Sequence, residues 1–177
     1  MHADAGAIGL AAKQSGTAPE LLLLCLRSVW APVMAAARPT LLNGISMELW
    51  RRPYCPVFNK NWDELTSDIL EKNFEVLNWL SPEDFCYYIA GVIYVSINEN
   101  NPELLVINSI INILNRSCNL SYWDENFSKR WTLFNNSELD VIYEWIIWLS
   151  SHKIYDEISL LRSLYCIEYI KNIINNY

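Results

Sequence analysis

The side chains of this chain with most chemical potential are two histidines, five cysteines and twenty carboxylates. His2 stands next to the first residue, and His152 closes the stretch "VIYEWIIWLSSH", where a helix should end. An imidazole at that position ordinarily caps carbonyls or meets the negative end of the helix dipole. For nucleophilic catalysis a cysteine would have to sit beside it in space. One reading therefore gathers Cys86, Tyr87, Tyr88 and His152 around a small-molecule pocket. The plainer reading makes Tyr87 and Tyr88 core rings whose hydroxyls reach backbone carbonyls.

Cys25, Cys55, Cys86, Cys118 and Cys166 are odd in number and lie about thirty or more residues apart. With no CxxC pair, neither a zinc cluster nor a thioredoxin-like centre is signalled, and free thiols in a reducing cytoplasm fit best. No GxGxxG, Walker loop or HExxH helix occurs, so no cofactor, metal or catalytic set is expected. Four N-x-Ser triplets, at Asn115, Asn119, Asn126 and Asn135, are what an Asn-rich chain produces by chance.

Most paired carboxylates have a simple explanation. Asp63-Glu64, Glu83-Asp84 and Glu138 with Asp140 fall in expected first turns of helices, where negative charge meets the positive dipole end. A different pattern links Glu64, Asp68, Glu71 and Glu75, spaced i, i+4, i+7 and i+11. On one helix they would share a face, and each like-charge neighbour would cost about 0.2–0.5 kcal/mol. Lys72 offsets part of that. Such a stripe is either an ordinary solvated face or a surface kept for a basic protein partner.

The bulk numbers agree with that partner class. A net charge of −7 and a pI near 4.8, with only 13 Lys and Arg, argue against nucleic acid, whose phosphates demand a basic surface. Apolar residues at 52% and 177 residues in all suffice for one domain with a true core. Eight Trp and ten Tyr exceed ordinary core needs, and their excess suits an interface.

Composition changes near residue 50. Residues 1–50 hold ten of the eleven Ala and a single Asn, whereas residues 51–177 hold seventeen Asn and all of the net charge. The expected organisation is an N-terminal extension, 1–50, partly helical or poorly packed, followed by a helical domain, 51–177. Within the extension, "PELLLLCLRSVWAPVMAAARP" makes a poor signal peptide, because its apolar run is short and Glu20 and Asp4 dilute the positive flank. It reads as an amphipathic helix from Pro19 to about Ala37, broken at Pro32, and a third functional reading has it attach to a membrane surface.

The elements that must position these groups read as helices. Ser81 is an N-cap with Pro82 at the first helical position, Glu83 and Asp84 in the first turn, and Leu80 and Phe85 in the staple positions. Phe85 to Ile97 is uncharged for thirteen residues, too short to cross a bilayer and right for a buried helix. Further starts are expected at Asn61 with Glu64, at Asn101 before Pro102, and at Ser137 with Asp140. A last helix covers about Asp156 to Ile174, with Ile158, Leu161, Leu164 and Tyr165 at near-helical spacing, and "YWDENFSKRWTLF" reads as a short helix or an aromatic loop. The expected fold is all-α: a single compact bundle of about five or six helices around a buried helix at about 82–97.

The stretches "NWDELTSDIL", "FEVLNWLSPEDFCYYIAGVIYVSI" and "SELDVIYEWIIWLSSH", across about residues 57–170, resemble an uncharacterised bacterial domain family with an "hhLsPEaFxYYhPAhL"-type segment. Ala90-Gly91 stands where members often carry Pro-Ala. The resemblance implies a bacterial, cytoplasmic, all-helical domain; the family has no established activity, so no catalytic residue is carried over. The function expected is a non-enzymatic interaction module, immunity- or antitoxin-like, with Glu64, Asp68, Glu71 and Glu75 as partner-binding residues. The alternative is an enzyme or ligand binder using the pocket near Cys86, Tyr87 and Tyr88.

Overall fold

The computed structural model describes residues 17–36 and 64–176, with side chains of the first span described as far as Trp30. Among the described residues the chain is all-α, with no strand. Seven helices follow in order: α1 (Ala18–Ala36), α2 (Ser67–Lys72), α3 (Pro82–Asn98), α4 (Leu105–Leu114), α5 (Glu125–Trp131), α6 (Asn136–Ser151) and α7 (Glu157–Asn175). Short 3-10 turns at Phe74–Asn78 and Leu120–Tyr122 interrupt the connections. α5 is the sixth helix of the expected bundle, and the seventh is α1, which packs on α3 and α6.

α3 forms as its sequence dictates. The Ser81 hydroxyl accepts from the Asp84 N–H at 3.1 Å and donates to the Asp84 carboxylate at 2.8 Å, closing the N-terminus from both sides. At the other end Asn100 takes a left-handed φ of 47°, which asparagine tolerates. The Asn101 N–H then bonds the Ser96 carbonyl at 2.8 Å and the Asn100 N–H the Ile97 carbonyl, a Schellman stop. Between these ends Phe85, Tyr88 to Val92, Ile93 and Val95 to Ile97 are buried. Each large apolar side chain in that set contributes about 1.5–3 kcal/mol from burial. α3 is thus the central helix, packed on α1, α2 and α5 and bonded to α6 through Ser96.

The compositional change near residue 50 does not mark the edge of the core. Leu22, Leu26 and Trp30 of α1 repeat every four residues and are buried against α3 and α6. Trp30 stacks toward Phe134 at 6.4 Å, and Phe134 joins Phe85 and Trp131 in a run of rings that continues through Phe127 and Trp123 to Tyr169. Much of the aromatic surplus therefore fills the core. The expected break at Pro32 is not found: the backbone stays helical to Ala36.

Two helix starts differ from expectation, and a third lies outside the described residues. The start proposed at Asn61 lies outside the described residues; α2 begins at Ser67, capped by the Thr66 hydroxyl. α4 begins at Leu105 and not at Pro102, because Asn101 accepts from the Glu103 N–H and holds a turn there. α6 is capped by Asn135, whose side chain accepts from the Glu138 N–H at 3.0 Å while the Glu138 carboxylate accepts from the Asn135 N–H at 2.8 Å. That capping box lies two residues before the expected Ser137 and Asp140. The last helix begins about where expected, at Glu157, with Asp156 as its cap, and Asp124 caps α5.

Candidate interaction surface

The acidic stripe does not form as a stripe. α2 is only six residues long, so Glu64 precedes it, Asp68 and Glu71 lie on it, and Glu75 falls in the following 3-10 turn. The helix breaks at Asn73, whose amide donates to the Ile69 carbonyl at 2.8 Å while its backbone N–H bonds Leu70. Asp68 forms an exposed ion pair with Lys72 at 2.6 Å, worth little in water. Glu71 is half-buried and accepts from the Leu105 N–H at 2.7 Å, which gives α4 the N-terminal cap that Leu104 cannot supply. Glu64, Asp68 and Glu75 are exposed, so this edge of the bundle is acidic without being one helical face.

The pocket reading fares differently, because its residues do not converge. Phe85 lies 6.2 Å from Phe134, just before α6, and Ser96 is bonded to Trp145 inside α6. α3 and α6 therefore run parallel. Cys86 sits in the first turns of α3 and His152 beyond the last turn of α6, at opposite ends of helices that rise about 1.5 Å per residue. The imidazole is already engaged: Nδ1 lies 3.0 Å from the Trp148 carbonyl, and the ring packs edge-on to the Trp148 indole. The Cys86 thiol faces the Arg130 carbonyl at 3.7 Å, and burial, with Glu138 and Glu83 nearby, pushes its pKa up to about 12. A thiol so disposed is a packing group and a poor nucleophile. Tyr88 is buried and Tyr87 half-buried, both on α3. A shallow, open cleft exists elsewhere, between α1 and the start of α6, lined by Ser28, Val29, Asn135, Asn136 and Ser137.

The membrane reading of α1 meets a similar obstacle. Leu22, Leu26 and Trp30 are spent on α3 and α6, while Leu24 is exposed. Among the described residues no helix is long and apolar enough to cross a membrane.

What the structure exposes instead is one side of α7. Leu160, Ser163, Cys166, Ile167 and Ile170 are its buried residues, the side packed on α4 and α6. Ile158, Leu161 and Tyr165, spaced i, i+3 and i+7, are 61%, 50% and 60% exposed. They form one apolar strip along the helix, accompanied by the exposed Glu157 and Arg162 and by Glu168, which is paired with Lys171 at 3.0 Å. Of the four apolar residues noted at near-helical spacing, Ile158, Leu161 and Tyr165 face solvent and Leu164 packs against the core. Both sides of α7 are apolar in sequence, so periodicity could not choose between them; a single large apolar residue outside is ordinary, but an aligned set of three is not.

Comparison of the chain with protein-family models, curated proteins and solved structures gives no match.

Proposed function

We propose that this chain is a non-enzymatic interaction module that presents an acidic surface with apolar anchors to a basic protein partner, in the manner of immunity and antitoxin proteins. The observation that carries this reading is the exposed strip Ile158, Leu161 and Tyr165 on α7, with the exposed Glu157 along one edge and Arg162 along the other. Aromatic and aliphatic anchors supply most of the energy of a protein interface, and surrounding charge sets the choice of partner and the encounter rate. A chain of net charge −7 attracts a cationic surface at long range, with Glu64, Asp68 and Glu75 adding to that field from another edge. The chemistry of the alternative reading has less support, since His152 and Cys86 are each occupied elsewhere.

The test is affinity capture from the source cell with the full chain as bait, in parallel with Leu161→Asp and Tyr165→Ala baits. The reading expects a basic protein retained by the natural chain and lost from both variants. A partner retained equally by all three baits would contradict it.

A further inference from the structure

Beyond α4 the chain turns back along α7. The Asn115 side-chain amide donates to the Ser159 hydroxyl at 3.3 Å, near the start of α7. Eight residues later, Trp123 packs edge-on to Tyr169 at 5.7 Å, and its indole N–H donates to the Ser117 carbonyl at 2.8 Å, which folds the segment on itself. Residues 115–123 are thus fastened to one side of α7 at two points, Ser159 and Tyr169. Cys166 lies on that same side, seven residues after Ser159 and three before Tyr169, a spacing that places all three on one helical face. Cys118 lies within the fastened segment. Both thiols are free, Cys118 exposed and Cys166 buried.

We propose that Cys118 and Cys166 are a modification site: a reversible disulfide that pins the 115–123 segment to α7. The contacts at Ser159 and Tyr169 bracket both thiols, and burial, with the Cys118 thiol adding to it and Arg116 opposing, pushes the Cys166 pKa up to about 12. The exposed thiol is the one an oxidant reaches first, and the buried one resolves the product. With oxidised glutathione as oxidant, the Cys118 thiolate attacks one glutathione sulfur, forming a mixed disulfide and releasing one glutathione thiolate. Cys166 then loses its proton and attacks the Cys118 sulfur, the protein disulfide forms, and a second glutathione thiolate leaves and takes up the proton. Two protein thiols are oxidised and one glutathione disulfide is reduced to two thiols. The bond would also fix Leu120 and Tyr122, 47% and 73% exposed, in place beside α7. This inference stands independently of any partner on the α7 strip.

The experiment treats the full chain, with Cys25 and Cys55 changed to Ser, with oxidised glutathione between pH 7 and 9. Peptide mapping is expected to show a Cys118–Cys166 cross-link preceded by glutathione on Cys118. The second step should quicken about tenfold per pH unit, as a resolving thiol of high pKa requires. Oxidation should raise Tm by roughly 5–10 °C, from the loop closed by the bond. Cys118→Ser, a surface change that leaves the core intact, should abolish both the cross-link and the Tm rise. Glutathione that stays on Cys118 at every pH, with Cys166 still alkylated after unfolding, would overturn the proposal.

Discussion

Trp145 donates its indole N–H to the Ser96 hydroxyl at 3.0 Å, joining α6 to the central helix where both residues are sealed from water. The Ser96 hydroxyl in turn donates to the Ile93 carbonyl at 2.9 Å, so one small polar group settles two demands inside an apolar core. Ser96→Ala strands the indole N–H and should cost about 1–3 kcal/mol. Trp145→Phe combined with Ser96→Ala should cost less than the two single changes added together. Urea unfolding of the four proteins in this cycle checks it, and strict additivity would show that the bond contributes nothing of its own.

Glu71 has a role that spacing disguised. Its carboxylate caps α4 from a different helix, at the Leu105 N–H. Glu71→Ala should therefore destabilise the fold by about 0.5–2 kcal/mol, the usual cost of a lost N-terminal cap. Glu75→Ala, an exposed change in the same acidic set, should stay within about 0.5 kcal/mol. Equal effects in chemical denaturation would contradict the assignment.

These two relationships show what the sequence conveys and what it withholds. Local signals were legible: the Ser81-Pro82 start, the start of the last helix near Asp156 and the buried run after Phe85 all depend on neighbours within a few residues. Long-range relationships were not. Nothing near Glu71 announces a partner 34 residues away, and nothing in α1 announces that Trp30 would meet Phe134. The acidic stripe presumed one helix through residues 64–75, whereas Asn73 closes α2 early by bonding back to Ile69 and Leu70. The α7 strip was visible as apolar spacing, but which side faces water is decided by α4 and α6.

Trp30 anchors α1 although the segment around it differs in composition from the rest of the chain. Trp30→Ala should cost about 3–5 kcal/mol, as for other large-to-small core changes. It should also speed tryptic cleavage after Arg27, which lies exposed on α1 with its guanidinium 5.8 Å from the Tyr94 ring centre. Unchanged stability and cleavage would mean that α1 is not part of the core.

Glu138 gives the fold a pH dependence opposite to that of Asp124 and Asp156. Burial raises its pKa above the ordinary 4.5, opposed by the hydrogen bond its carboxylate accepts from the Asn135 N–H. A raised carboxyl contributes stability that is complete below the unfolded pKa and is lost as pH rises through the folded one. Asp124 and Asp156 act in reverse: hydrogen bonds from the Phe127 and Ser159 N–H groups lower them below 3.8, so their contribution is lost as pH falls through their folded values. Glu138→Gln keeps an acceptor for the Asn135 N–H and removes the ionisation. Relative to the natural chain, its Tm should be more favourable at pH 7 than at pH 4, and a pH-independent difference would contradict the burial argument.

The central claim is that the exposed strip of α7 is a binding surface. Calorimetric titration of the captured basic partner, once purified, into the natural chain and into Leu161→Asp measures it most directly. The account predicts at least about a tenfold rise in Kd for the variant, with circular dichroism and Tm near those of the natural chain, because Leu161 is half exposed and lies outside the core. An unchanged Kd would contradict it.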